Sequence, residues 1–171
     1  MTLEELENLD DYADMKVTGM VNVKHFNAAG DLLNEFDVPN AVVVGGLAFI
    51  ACRLTNASCG NQMSHMALGA DGTANTLVGG VYTNTTLGSQ LTGGGDGNTG
   101  RVALTTAGGT AVAREVTYGA TFASGVATGS VQEAGIFNAS SGGLMLARTT
   151  FPVITKQPTD SLAVTWKITL S

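Results

Sequence analysis

The chain has 171 residues, a formal net charge of −6, 44% hydrophobic residues and only 13% charged ones, where an ordinary soluble chain carries about 25% charged residues. That balance excludes intrinsic disorder, which needs low hydrophobicity and high charge. With an isoelectric point near 4.6 and no lysine or arginine cluster, it also excludes a basic nucleic-acid binder.

Residues 1–14 carry Glu4, Glu5, Glu7, Asp10, Asp11 and Asp14 with no base, so they hold the whole net charge. Thr2 and Glu5 form a T-x-x-E capping box, and Leu3, Leu6, Leu9 and Ala13 follow at helical spacing. The early acids suit the positive end of a helix dipole. So short a helix is marginal alone in water, so its leucines must dock, either on its own body or on a neighbour. The charge break at Met15 marks residues 1–15 as an acidic arm and favours the neighbour. Residues 16–171 then form one domain. From Met15 onward eight acids balance eight bases. Such a neutral, sparsely charged body has little repulsion to keep copies apart, which predicts assembly with other subunits. The alternative is a monomer kept wet by threonine, serine and asparagine.

From Lys16 the period becomes two. Val17, Gly19, Val21 and Val23 predict a strand, Gly30-Asp31 a turn, and Leu32 to Val38 a return strand stopped by Pro39. Val43, Leu47, Ile50 and Leu54 fall at helical spacing, with Asn56 as the stop. Gly45 and Gly46 let that helix start lie close against a sheet. Ser64 to Leu68 reads as a strand ended by Asp71-Gly72. A long polar loop covers residues 70–100, and loops of such length are usually functional or covered. Strands follow at Arg101 to Thr106, Ala111 to Phe122, Val131 to Phe137, Leu144 to Thr150 and Leu162 to Leu170. Trp166, in phase with Leu162 and Ile168, is predicted to be core. The sum is a mainly β chain: an antiparallel β-sandwich of about eight strands with one packed helix and a short N-terminal helical arm.

The candidates for chemistry are weak. Cys52, Cys59 and His65 are too widely spaced and too few for a zinc site. Cys52 reads as helix core, and the two cysteines do not make a disulfide framework, so the chain reads as made in a reducing cytoplasm. A Cys52–His25 nucleophilic pair has only Arg53 nearby to favour a thiolate. The carboxylates Asp71, Asp96, Glu115, Glu133 and Asp160 are scattered, and Asp96-Gly97-Asn98 is an incomplete calcium loop. No phosphate-binding glycine motif is present. No cofactor and no metal are expected, and no catalytic residue is assigned. The apolar run Ala41–Cys52 is too short to span a bilayer, and the acidic start is unlike a secretory signal, so no membrane partner is expected. Glu133 stands on a strand among apolar neighbours. It either pairs with an arginine such as Arg101 or Arg148, within the fold or across an interface, or it faces solvent.

Four short motifs suggest a family. They are Asp71-Gly72; Thr86-Leu87 followed later by Arg101; Glu133-Ala134-Gly135-Ile136-Phe137; and Phe151-Pro152 with Lys156. In this order the chain resembles small structural proteins of tailed bacteriophages, and in particular the N-terminal attachment domain of phage tail-collar fibre proteins, over roughly Met15 to Ser171. It departs from them by the insertion Thr92 to Gly100 and by the lack of a shaft after Ser171. The resemblance implies a non-enzymatic virion protein, made in the host cytoplasm, that forms a homo-oligomer. A trimer is the first expectation. Its partners would be capsid or tail components, and its role a tail or fibre adaptor or short appendage. Capsid decoration is the first alternative, and a receptor- or glycan-binding module using Tyr82 the second. The expected interface residues are Leu3, Leu6, Leu9, Tyr82, Arg101, Glu133 and Arg148.

Overall fold

The structure is a computed structural model that describes residues 16–55 and 57–171. Alternating apolar residues from Val17 onward make β1 (Val17–Phe26), which turns at Gly30 into β2 (Leu32–Pro39). After β3 (Ala41–Val42) comes the helix α1 (Val44–Arg53). The chain continues through β4 (His65–Gly69), the small hairpin β5 (Leu77–Val78) and β6 (Val81–Tyr82), a 3-10 turn at Asp96–Asn98, and β7 (Val102–Ala103). The remainder is β8 (Thr110–Val112), β9 (Glu115–Phe122), β10 (Gly129–Phe137), β11 (Met145–Lys156) and β12 (Ser161–Leu170).

Two five-stranded antiparallel sheets form a sandwich, one in the order β2-β1-β12-β9-β8 and the other β3-β11-β10-β4-β7. The expected mainly β sandwich with one packed helix is therefore present, with twelve strands rather than eight. The excess comes from short pieces. β3, β5 and β6 lie where no strand was expected. The segment Ala111 to Phe122 breaks at Ala113, whose φ is 52°, into the hairpin β8–β9. No glycine or proline marks that break, so the sequence carries no ordinary turn signal there. The expected strand Leu144 to Thr150 runs on to Lys156. Phe151, Pro152 and Val153 all lie opposite the single residue Gln132 in a bulge, which accommodates a proline that cannot donate to the ladder.

The core lies between the sheets. Val21, Val23, Leu162, Val164, Trp166 and Phe122 meet Met66, Leu68, Ala134, Ile136 and Ile154, all buried. Trp166 is fully buried, as its phase with Leu162 predicts. A buried side chain of this class contributes about 1.5–3 kcal/mol. The β4–β10–β11 sheet is covered on its other face as well, where Ala67, Leu87, Phe137 and Met145 form a second apolar cluster beneath the 70–91 segment. Helix α1 lies against β11, and Gly46 makes that approach possible: a Cβ there would collide with the Leu146 carbonyl. The helix expected over residues 1–14 and the Asn56 stop lie outside the described residues; α1 ends at Arg53, with Leu54 as its cap.

Candidate functional site

Glu133 on β10 faces outward from the sandwich core, toward the 70–91 segment, and is wholly buried there. Its register partner on β4 is Gly69, where any Cβ would strike the carboxylate. Arg148 on β11 stands diagonally across the same face, opposite Gly135. Its Nε and one terminal nitrogen both lie 2.8 Å from Glu133 Oε2. The backbone N–H groups of Ser89 (2.8 Å), Gly88 (3.0 Å) and Asp71 (3.4 Å) donate to the same carboxylate. Arg148 also donates to the Thr73 carbonyl at 3.0 Å and to Asn75 Oδ1 at 2.9 Å, and lies 3.5 Å from Asp71 Oδ2. Glu133 and Arg148 therefore pair within one chain, and neither faces solvent. Asp71 is held below the usual carboxylate range chiefly by hydrogen bonds from Thr73, with Arg148 adding to the effect.

Arg101 is a second post. It is buried, with its guanidinium 3.7 Å over the Phe137 ring. It donates to the carbonyls of Ala139 (2.9 Å) and Gly142 (2.8 Å) and to Gln90 Oε1 (3.2 Å). Burial pushes its pKa down, yet arginine stays charged at any physiological pH. Lys156 is a third: it is buried, its pKa is lowered by burial, and its Nζ donates to the Ala123 carbonyl at 2.9 Å. Nearby, buried His25 bonds Asp160 at 2.8 Å. The Gln157 N–H, and then His25, hold Asp160 below the usual carboxylate range.

Each post pins a loop by backbone contacts. Glu133 and Arg148 hold residues 70–76 and 88–89, Arg101 holds 90 and 139–142, and Lys156 holds 123. What these posts present outward is the β5–β6 hairpin. Gly79 and Gly80, both at positive φ, form its two-residue turn. Leu77 and Val78 beside that turn are 57% and 58% exposed. Tyr82 is half-buried, packs on the second apolar cluster and lines two small clefts. Leu3, Leu6 and Leu9 lie outside the described residues.

The cysteine reading is corrected. Cys52 and Cys59 form a disulfide with their Cα atoms 5.7 Å apart. The chain turns back after Leu54, which brings the end of α1 to the loop at 57–60. Cys52 is half-buried rather than core. The bond removes both thiols from any zinc or nucleophile role and argues for an oxidising setting at some stage.

Sequence reasoning missed one polar relay. Ser64 Oγ lies 2.7 Å from His65 Nδ1, and His65 Nε2 lies 2.8 Å from Asp96 Oδ2. These are the residue types of a nucleophilic triad, and through Asp96 the relay ties β4 to the glycine-rich loop. A cleft of about 360 Å³ is lined by Thr73, Thr83 and Thr86. Its charged groups, Asp71 and Arg148, are already committed to each other and to backbone. No group of three or more His, Cys, Asp or Glu side chains able to hold a metal occurs among the described residues, and no described helix is long and apolar enough to cross a membrane. No family profile, curated protein or solved structure matches the chain.

Proposed function

We propose that this chain is a non-enzymatic structural subunit of a tailed-bacteriophage virion. It associates with copies of itself, as a trimer, and joins tail or fibre components as an adaptor or short appendage. The virion part of this reading rests on the motif resemblance. The assembly part rests on one observation: the apolar β5–β6 tip, with Leu77 and Val78 more than half exposed, projecting from a segment fixed by a fully buried ion pair. Exposed apolar surface on a rigid support is a recognition feature, because it can be buried on association without the entropy of ordering a loop.

Two features sit well with this reading. Of the charged residues of the four motifs, Asp71, Glu133 and Arg101 hold or belong to the 70–91 segment that displays the tip, while Lys156 anchors residue 123. The body also carries no net charge to oppose close approach of copies.

Light scattering on the size-fractionated protein tests self-association. The expected result is a trimer at micromolar concentration and physiological salt, which Leu77→Asp with Val78→Asp converts to monomer. Both side chains are exposed, so the melting temperature should move by no more than about 2 °C. A wild-type monomer, or a trimer indifferent to the double variant, overturns the assembly reading. Imaging of intact particles at residue resolution tests the virion reading separately.

A further inference from the structure

A second apolar feature lies between α1 and strands β9 and β12. Phe49 and Ile50 of α1 and its cap Leu54 face Val116, Ile168 and Leu170 of β9 and β12 across a groove of about 240 Å³ whose lining is almost wholly apolar. Leu54, at its rim, is 79% exposed. The groove is the mouth of the interlayer core, where α1 only partly closes the gap between the sheets.

Two observations identify what fits it. The first is position. Lys16, where the described chain begins, exchanges backbone hydrogen bonds with Ser171 at 2.6 and 2.9 Å. Ser171 is the residue after Leu170, which lines the groove, so the described chain begins at the groove's edge. The second is charge. Of the eight bases in the chain, Lys24, Arg148 and Lys167 pair with carboxylates, and Arg101 and Lys156 are buried on carbonyls. The other three, Lys16, Arg53 and Arg114, are exposed and have no carboxylate partner among the described residues. Arg53 lines the groove, and the other two adjoin its edge through the backbone: Lys16 bonds Ser171, and the Arg114 carbonyl accepts from the Leu170 N–H at 2.9 Å.

We infer that this groove is the docking site of the chain's own segment 1–14, with Leu3, Leu6 and Leu9 against Phe49, Ile50 and Leu54, and the acids of the segment facing Arg53, Arg114 and Lys16. A segment with six acids, no base and one leucine stripe complements an apolar slot lined by Arg53, with Lys16 and Arg114 close by along the backbone. Fourteen helical residues span about 21 Å. Tethering at the groove edge gives an effective concentration on the order of millimolar, far above that of a second copy in dilute solution, so the occupant comes from the same chain. The inference does not depend on the virion reading.

A photo-crosslinking benzoylphenylalanine at position 6 of the full chain tests it, with products mapped by mass spectrometry in a mixture of isotopically light and heavy protein. The expected crosslinks fall on α1 between Phe49 and Leu54 or on Val116, Ile168 and Leu170, within one isotopic species. Arg53→Glu with Arg114→Glu should lower their yield at least about threefold. Arg114→Glu alone, at an exposed side chain, should lower it in the same direction without shifting the melting temperature. Leu54→Glu should also reduce the yield. Crosslinks spread over β2 or the 70–100 loop, crosslinks between isotopic species, no crosslinks, or yields indifferent to all three variants would each overturn the assignment.

Discussion

A carboxylate as deeply buried as Glu133 is tolerated because its oxygens are fully used: Arg148 on one side and the N–H groups of Asp71, Gly88 and Ser89 on the other. Removing it leaves a buried guanidinium and three backbone donors without an acceptor. Glu133→Ala should therefore cost about 3–5 kcal/mol, or a fall in melting temperature of roughly 10 °C for a domain of this size. Hydrogen exchange at residues 71, 88 and 89 should rise selectively. A change under about 1 kcal/mol would mean that the post does not hold the segment. Gly69→Ala acts on the same centre from the opposite strand. Its Cβ has no space beside the Glu133 carboxylate, so thermal melting should show a loss of about 1–3 kcal/mol from overpacking. The sequence singles out Glu133 and Arg148 but leaves their orientation open. Alternation distinguishes a wet face from a dry one, and here both faces of β10 are dry, because the 70–91 segment covers the second. That cover depends on residues 44 and more positions away, a distance no local pattern encodes.

Elements carried by continuous periodicity are legible in the sequence, and those made by long-range closure are not. The spacing of Val43, Leu47, Ile50 and Leu54 locates α1, and Gly46 marks its contact with β11, because both are properties of one face of one helix. The β8–β9 turn at Ala113 carries no turn residue. The disulfide joins a helix end to a loop at a separation of seven residues, which in a chain of this length reads as two unrelated cysteines. That bond closes a small loop and fixes Arg53 and Leu54 at the lip of the apolar groove. Cys52→Ser with Cys59→Ser should lower stability by about 2–3 kcal/mol, the chain-entropy expectation for closing a loop of about eight residues. Calorimetry of the wild type with and without a thiol reductant should reproduce the same shift. Identical melting curves in the two conditions would show that the bond does not form in solution. The tip of β5–β6 was legible only as part of a long polar loop. Its turn glycines are visible in the sequence, but the posts that make it rigid lie on β10 and β11.

Across the whole molecule, charge is sparse and sorted by place. Asp31 and Asp37 lie at the β2 edge of one sheet, Arg114 lies at its β8 edge, and the remaining pairs are internal or locally matched. With so few ionic groups, the pH dependence of stability falls on a small set of carboxylates, of which Asp160, Asp71 and Glu35 are held below their ordinary range. The causes are the Gln157 N–H and then His25 for Asp160, Thr73 for Asp71, and Lys24 for Glu35. A carboxylate whose pKa is lower folded than unfolded binds fewer protons in the native state. Its contribution is complete above the unfolded value of about 4 and is lost as the pH falls through the folded value. Stability should therefore be level from about pH 8 to about pH 5 and should decline below about pH 4. Asp160→Asn should shrink that acid limb, since it removes the group that ties the β11–β12 turn to β1 through His25. Thermal melts across this range decide the matter. A decline that begins near pH 6 would place the sensitivity outside these three carboxylates, and would remove Asp160 from this role.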